Sequence, residues 1–321
     1  MGNKKGMLEN TNISNVIDGN ADKSKYDAEV KKVLSDPQIL AWILKYTVKE
    51  FKDFSIEQII DCIDGKPEVG ARYVRPGHYT KAIDGINTED SVPGEGKVVY
   101  DIRFRVILPG DIRLGMIINV EAQKDSNPGY DIVTRGIYYC ARMLSSQMGN
   151  DISAREYDKL QKVYSIWICL NVPQKAEHSI TRYRIQKEEV HGHSDIDSRY
   201  DLLELVMVYL GREESAENGT KLHKLLSTVL SDCLKPEEKK EILKQEYDII
   251  TSVELEGGLV RMCNLSEAIA ERNLEQGIEQ GIEQGKLIML ATLVKDGTIS
   301  IRVAANQAKM SETEFKRMMK V

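Results

Sequence analysis

The chain has 321 residues, 41% of them apolar and 29% charged, with a net charge of −6 at pH 7. That apolar share excludes a disordered chain and is enough for one large or two smaller packed domains. The negative balance excludes a uniformly basic nucleic-acid binder, so any such surface has to be a local patch.

The charge is uneven. Acidic residues outnumber basic ones two to one from His191 to Glu283, and basic residues prevail from Gln284 to Val321. Five scattered cysteines, none in a CxxC pair, point to reduced thiols and away from a disulfide framework or a structural zinc site. Met1 to Asn10 has lysines with no apolar stretch behind them, and no apolar run reaches a membrane span. The expectation is a cytoplasmic globular protein without a membrane partner.

Residues 1–35 are polar and weakly periodic, which predicts a flexible N-terminal arm. Asp36-Pro37, a cap residue before a proline at the first helical position, opens a helix whose apolar residues are Ile39, Leu40, Ile43, Leu44 and Val48. A second helix covers Ser55 to Cys62. From Val69 to Gly96, repeated Gly and Pro predict turns and short strands.

Lys97 to Leu108 alternates, with Val98, Tyr100, Ile102, Phe104 and Val106 on one side and Asp101, Arg103 and Arg105 on the other. A turn at Pro109-Gly110-Asp111 leads into Leu114 to Gln123, where Ile118, Val120 and Ala122 oppose Asn119, Glu121 and Gln123. This is an antiparallel hairpin with one apolar and one polar face. After Pro128-Gly129 a helix runs to about Gln147, with Val133, Ile137, Cys140, Leu144 and Met148 as its apolar stripe. Val163 to Leu170 is a compact apolar run ending before Pro173, a buried strand. Cys140 and Cys169 fall in apolar patterns and are expected in the core. Strand, strand, helix, strand gives an α/β core.

Beyond His191 the pattern is helical over Tyr200 to Leu210, Lys221 to Leu234 and Pro236 to Val253. The stretch His191-Gly192-His193-Ser194-Asp195 is dense in metal donors but polar and glycine-containing, and reads as a linker. A period-four repeat follows, with Gly277, Gly281 and Gly285 on one helical face. Each glycine costs the helix roughly 1 kcal/mol relative to alanine, which a hinge or close helix–helix approach would explain. Two short helices close the chain, the last opened by a capping box at Ser311 and Glu314. The basic tail suits self-association into a homo-oligomer or contact with DNA.

The hairpin carries the chemistry. With its turn centred on Asp111, Asp101 faces Glu121, and two facing carboxylates repel unless a cation or a shared proton lies between them. Gln123 projects from the same face, and an all-oxygen set of this kind suits Mg2+ or Mn2+. The other reading is a solvated polar face on which Arg103 and Arg105 neutralise the acids.

The segments Gly85-Ile86-Asn87-Thr88-Glu89-Asp90, Tyr100-Asp101-Ile102-Arg103-Phe104, Asn119-Val120-Glu121-Ala122-Gln123, Arg135-Gly136-Ile137-Tyr138-Tyr139 and Val163-Tyr164-Ser165-Ile166-Trp167 resemble the PD-(D/E)xK nuclease family transposases, relatives of the recombination-promoting nucleases of bacteria. The likeness covers roughly Asp36 to Glu189. It implies a restriction-endonuclease-like core, a mixed sheet flanked by helices, with an all-helical C-terminal extension. It also implies hydrolysis of DNA phosphodiesters with Mg2+, linked to transposition or recombination. By position, Asp101 and Glu121 would be the metal-binding acids and Gln123 would stand where the motif has lysine. Lys124 is adjacent but belongs to the other face of a regular strand, and Tyr100 replaces the motif's proline. Arg135, Tyr139 and Arg142, at i, i+4 and i+7, would contact phosphates or brace the acids. Glu50 and Glu57 are candidates for the extra acid that the superfamily often takes from its first helix. The expected parts are an arm over 1–35, a nuclease-like core over 36–190, an acidic helical region over 191–265, and the repeat with its tail over 266–321. The alternatives are a catalytically inactive protein of the same fold that binds DNA or protein, and an unrelated α/β interaction protein.

Overall fold

The computed structural model describes residues 12–69, 89–92, 96–109, 115–125, 128–148, 152 and 156–319. The turn expected at Gly110-Asp111, the segment Gly85-Ile86-Asn87-Thr88 and residues 1–11 of the expected arm lie outside the described residues. Two compact units are formed: one spans residues 20–265, and the other includes residues 266–319.

The first unit is built on a mixed six-stranded sheet. Its strands are β1 (Ile63–Val69), β4 (Ile102–Ile107), β5 (Gly115–Asp125), β6 (Lys162–Asn171), β8 (Leu203–Tyr209) and β7 (Ser179–Arg184), in that spatial order. Neighbours β5, β6 and β8 are parallel; β1, β4 and β5 form an antiparallel meander, and β7 adds an antiparallel edge. The run Val163–Leu170 forms most of β6, whose first eight residues are all buried, as a parallel strand covered on both faces requires. A separate two-stranded sheet pairs β2 (Glu89–Val92) with β3 (Gly96–Val99).

Helices cover both faces of the large sheet. On one face, α1 (Asn12–Leu34) contributes Val33 and Leu34, α2 (Pro37–Thr47) contributes Leu40 and Leu44, and α5 (Lys221–Leu230) contributes Leu225 and Leu226 to a core with Phe104, Ile118, Ile166 and Val206. Asp36 caps α2 by accepting from the Gln38 amide, as the Asp-Pro pair predicts. The helix expected from Ser55 is α3 (Ile56–Asp61), opened by a Ser55–Gln58 capping box. On the other face, α4 (Ile132–Ser145) packs Tyr139, Cys140 and Met143 against Ile117, Trp167, Cys169 and Leu205.

Several expectations need correction. The arm is helical from Asn12 onward, and its last turns enter the core through Val30, Val33 and Leu34; the polar length of α1 hid this short apolar stretch. Tyr200 to Leu210 is not helical but contains β8, whose interior residues Glu204 to Val208 are buried beside β6. A short apolar run bounded by polar residues fits either element, and pairing with β6 decides it. The nuclease-like core therefore does not end at residue 190, and 191–265 is not wholly helical. The alternation expected from Lys97 to Leu108 breaks at Tyr100-Asp101 into β3 and β4. Tyr100 thus joins the α4 side of the sheet while Ile102 joins the opposite core. The polar hairpin face is not solvated, since Arg103, Asn119 and Glu121 are all buried. The stripe of α4 is also rotated from the expected one: Ile137 is 45% exposed, while Gly136 and Tyr139 face inward. Gly136 allows this, because a Cβ there would stand 2.5 Å from Leu205 Cδ1.

α6 (Pro236–Tyr247) and the start of α7 (Val253–Lys295) complete this unit. In the second unit, the remainder of α7 is followed by α8 (Ile301–Gln307) and α9 (Glu312–Met318), which share a small core of Leu290, Ala304, Ala305 and Phe315. The expected capping box at Ser311 and Glu314 opens α9. Among the described residues, no helix is long and apolar enough to cross a membrane.

Candidate active site

Asp101 lies at the bend before β4, and Glu121 lies in β5. The β4–β5 register pairs Ile102 with Val120 and Arg103 with Asn119, so Asp101 and Glu121 face each other as the hairpin arithmetic requires. The two residues are interlocked through backbone amides. The Asp101 amide donates to Glu121 Oε1 at 3.0 Å, and the Ala122 amide donates to Asp101 Oδ2 at 3.2 Å. Asp101 Oδ1 remains for a cation, and Lys31 Nζ lies 2.5 Å from it.

Glu121 is 4% exposed. Burial and then the Asp101 charge push its carboxyl well above the usual glutamate range, opposed by the Asp101 amide, the Arg135 charge and Asn119. This shift favours the neutral carboxyl, and a cation bound beside it would act in the opposite direction.

The wall beside Glu121 comes from α4 and β6. Arg135 donates to the Tyr139 hydroxyl through Nε (3.2 Å) and Nη2 (2.6 Å) and to the Tyr130 hydroxyl through Nη1 (2.5 Å). Its guanidinium also stacks over the rings of Tyr130, Tyr139 and Trp167 at 5.5, 5.0 and 5.3 Å. Burial and the Glu121 charge raise the Tyr139 hydroxyl above its usual range. Beneath them Ser165 Oγ accepts from Asn119 Nδ2 at 3.1 Å and from Trp167 Nε1 at 2.9 Å, fixing the floor of the site.

The other candidates divide. Gln123 is half-buried on β5, two residues beyond Glu121, and Lys124 is exposed near the strand end. Arg135 and Tyr139 lie close enough to Glu121 to interact with its charge, while their polar groups are engaged with one another. Arg142 is 5% exposed and donates to the Tyr138 hydroxyl at 3.5 Å, so it is a buried helix residue rather than an open phosphate contact.

Glu50 belongs elsewhere. Its Oε1 lies 3.2 Å from Lys162 Nζ, and its Oε2 accepts from the Tyr164 hydroxyl at 2.6 Å. Lys162 also meets buried Glu204 at 2.6 Å and Asp201 at 3.2 Å, and Arg182 meets Glu204 at 3.2 Å. Lys162 pairs with Met116 whereas Trp167 pairs with Glu121; five residues at ~3.3 Å each place this ion cluster about 17 Å from the acids. Glu57 is exposed in the first turn of α3, where its own amide and Ser55 hold its carboxyl below the usual range. Neither glutamate completes the acid pair.

Sequence reasoning missed Lys31 because it fell within the expected arm. The signal was present: Val30, Val33 and Leu34, at i, i+3 and i+4 directly before Asp36-Pro37, mark an amphipathic turn.

Two oxygen-bearing acids and a cation already seated on Asp101 Oδ1 fit a hard divalent ion. Among the described residues, no cluster of three or more His, Cys, Asp or Glu side chains is placed to hold a metal. Further donors would have to be of another kind, such as the Gln123 amide oxygen or water. His193 contacts Asp195 and Glu189, but it is exposed and in no such cluster.

A sequence model described as a PD-(D/E)XK nuclease family transposase matches residues 89–256, just over half of the chain. The chain belongs to this family. No curated protein and no solved structure matches it. The PD-(D/E)XK match takes in β8, α5 and α6, in agreement with a sheet that continues past residue 190. It also overturns the reading of an unrelated interaction protein.

Proposed function

We propose that this PD-(D/E)XK family member is a metal-dependent DNA endonuclease acting in transposition or recombination. The observation that carries the reading is the interlocked pair of buried Glu121 and half-buried Asp101, with a cation on the remaining Asp101 oxygen. Two carboxylates are brought together here at a cost in repulsion and desolvation, and a divalent ion would offset that cost. Bound Mg2+ or Mn2+ would polarise the scissile phosphate and acidify a water. Asp101 and Glu121 would hold the ion, and Gln123 would orient the incoming water. Arg135, held by Tyr130 and Tyr139, keeps a positive charge beside Glu121 without neutralising it by direct pairing.

DNA is the proposed partner in this reading. The C-terminal helices are proposed to self-associate, because exposed Leu274, Ile278 and Ile282 of α7 run beside glycines whose Cβ positions are open. One reading competes. Gln123 in the lysine position favours a descendant that binds DNA or protein without cutting.

A plasmid-nicking assay with Mg2+, with Mn2+ and with EDTA tests the endonuclease. Nicking with either metal and none with EDTA is expected. Intact plasmid under all three conditions, with DNA still bound, would establish the inactive descendant.

A further inference from the structure

The acid pair has a cation that comes from outside the motif. Lys31 reaches it from the last turns of α1 with a side chain only 9% exposed, its ammonium 2.5 Å from Asp101 Oδ1. The helix that delivers it is firmly placed. Glu29, two residues earlier, accepts from Lys32 at 2.6 Å and from Arg261 Nε at 2.8 Å. Val33, two residues later, lies against α7 at Gly258, where a Cβ would stand 2.7 Å from Val33 Cγ2. Val30, Val33 and Leu34 are in the core.

The charges around the acids narrow what Lys31 does. Gln123 is neutral and Lys124 is exposed near the strand end. The Arg135 guanidinium is committed to two tyrosine hydroxyls and three aromatic rings. A second cation cannot share Asp101 Oδ1 with an ammonium 2.5 Å away without strong repulsion. A divalent ion taking that oxygen would therefore turn the ammonium out on its flexible stem, toward whatever anion the site next receives. For an endonuclease that anion is a phosphodiester.

Resting on the endonuclease reading above, we propose that Lys31 is a further residue of the cleavage site, holding the cation position on Asp101 in the metal-free protein and meeting the DNA phosphate once a divalent ion binds. It supplies the positive charge that Gln123 cannot.

The test uses the full-length protein with Lys31→Met, Lys31→Gln and Lys31→Arg. Mn2+ affinity is measured by calorimetry without DNA, and plasmid cleavage is measured at saturating Mn2+. Loss of the competing ammonium should tighten Mn2+ binding about tenfold in Lys31→Met and Lys31→Gln, on the scale of groups that tune metal ligands. Cleavage by the same variants should fall on the order of 100-fold or more, the cost of removing one preorganised charge. Lys31→Arg should retain part of the rate, and adding Gln123→Lys to Lys31→Met should recover part of it. Lys31→Gln keeps a polar group at Asp101, so it reads the site even if Lys31→Met does not fold. Wild-type cleavage and unchanged Mn2+ affinity in Lys31→Gln, with at most a lower melting temperature, would reduce Lys31 to a structural counter-ion and overturn the proposal. Weaker Mn2+ binding in the variants would overturn it equally. If the wild-type protein cuts no DNA, it is the endonuclease reading that fails. The calorimetric comparison then still decides whether Lys31 occupies the cation position.

Discussion

Asp101 and Glu121 are tied to each other's strands: the amide of Asp101 holds Glu121 Oε1, and Asp101 Oδ2 holds the amide that follows Glu121. Each carboxylate thus spends one oxygen on the backbone and keeps its partner in place. Side chains fixed in this way would need little rearrangement to hold the proposed divalent ion.

Glu121→Gln and Asp101→Asn should therefore reduce plasmid cleavage to background while leaving the circular dichroism spectrum unchanged. Glu121→Gln removes one of the two facing carboxyls and keeps the Lys31–Asp101 pair, so it should raise the melting temperature of the metal-free protein by a few degrees, the scale of about 1 kcal/mol in a domain of this size. Cleavage at wild-type rate by either variant would remove these residues from the site.

The pH dependence has a definite sign. Burial and the Asp101 charge raise Glu121 in the folded protein above its unfolded value, so the folded state binds the proton more tightly. That contribution is fully present below the unfolded pKa and is lost as pH rises through the raised folded value. Melting curves of the metal-free protein should show a loss of stability over this interval. Glu121→Gln should lack that component, and the same slope in both proteins would assign it to another group.

At Gln123 a neutral amide can orient water or fill a coordination position. Gln123→Ala should lower cleavage about 10- to 100-fold, and Gln123→Lys should preserve or raise it. A fully active alanine variant would place this residue outside the reaction.

Glu50 offers a contrast. It serves Lys162 and Tyr164 at the opposite end of the parallel strands. Glu50→Gln should cost about 1–3 kcal/mol of stability, the penalty for weakening a largely buried charged hydrogen bond, with Mn2+ affinity unchanged. A selective loss of Mn2+ binding would show that this glutamate reaches the acids after all.

On α7, Leu274, Ile278 and Ile282 are 66%, 55% and 54% exposed. Ile278→Glu with Ile282→Glu should shift sedimentation to a smaller species and leave single-turnover cleavage intact. An unchanged sedimentation coefficient would mean that this stripe joins no second copy.

Much of the site was legible because a hairpin constrains itself. The alternation on either side of the turn sets the register, and the register puts Asp101 opposite Glu121 without any tertiary information. What local pattern does not carry is which side of a two-sided sheet is covered. The acids' face was read as polar, yet α4 lies over it, brought close by Gly136. The run containing Leu205 to Val208 looked helical because a strand buried on both faces has no alternation to show. Lys31 was out of reach for a different reason: its contact with Asp101 spans seventy positions, and only the packing of α1 brings the two together.

That packing bears on the order in which the protein assembles. The turn carrying Lys31 is secured by Arg261, 232 positions after Glu29. Contacts of such long sequence separation form late, after the closure of a large loop. During synthesis α1 and the acid hairpin both emerge well before Arg261, so the Glu29–Arg261 contact is the last to join the group that positions Lys31. A nascent chain would thus hold Lys31 through the core contacts of Val30, Val33 and Leu34 before the tie to α7 is added, once α7 has left the ribosome.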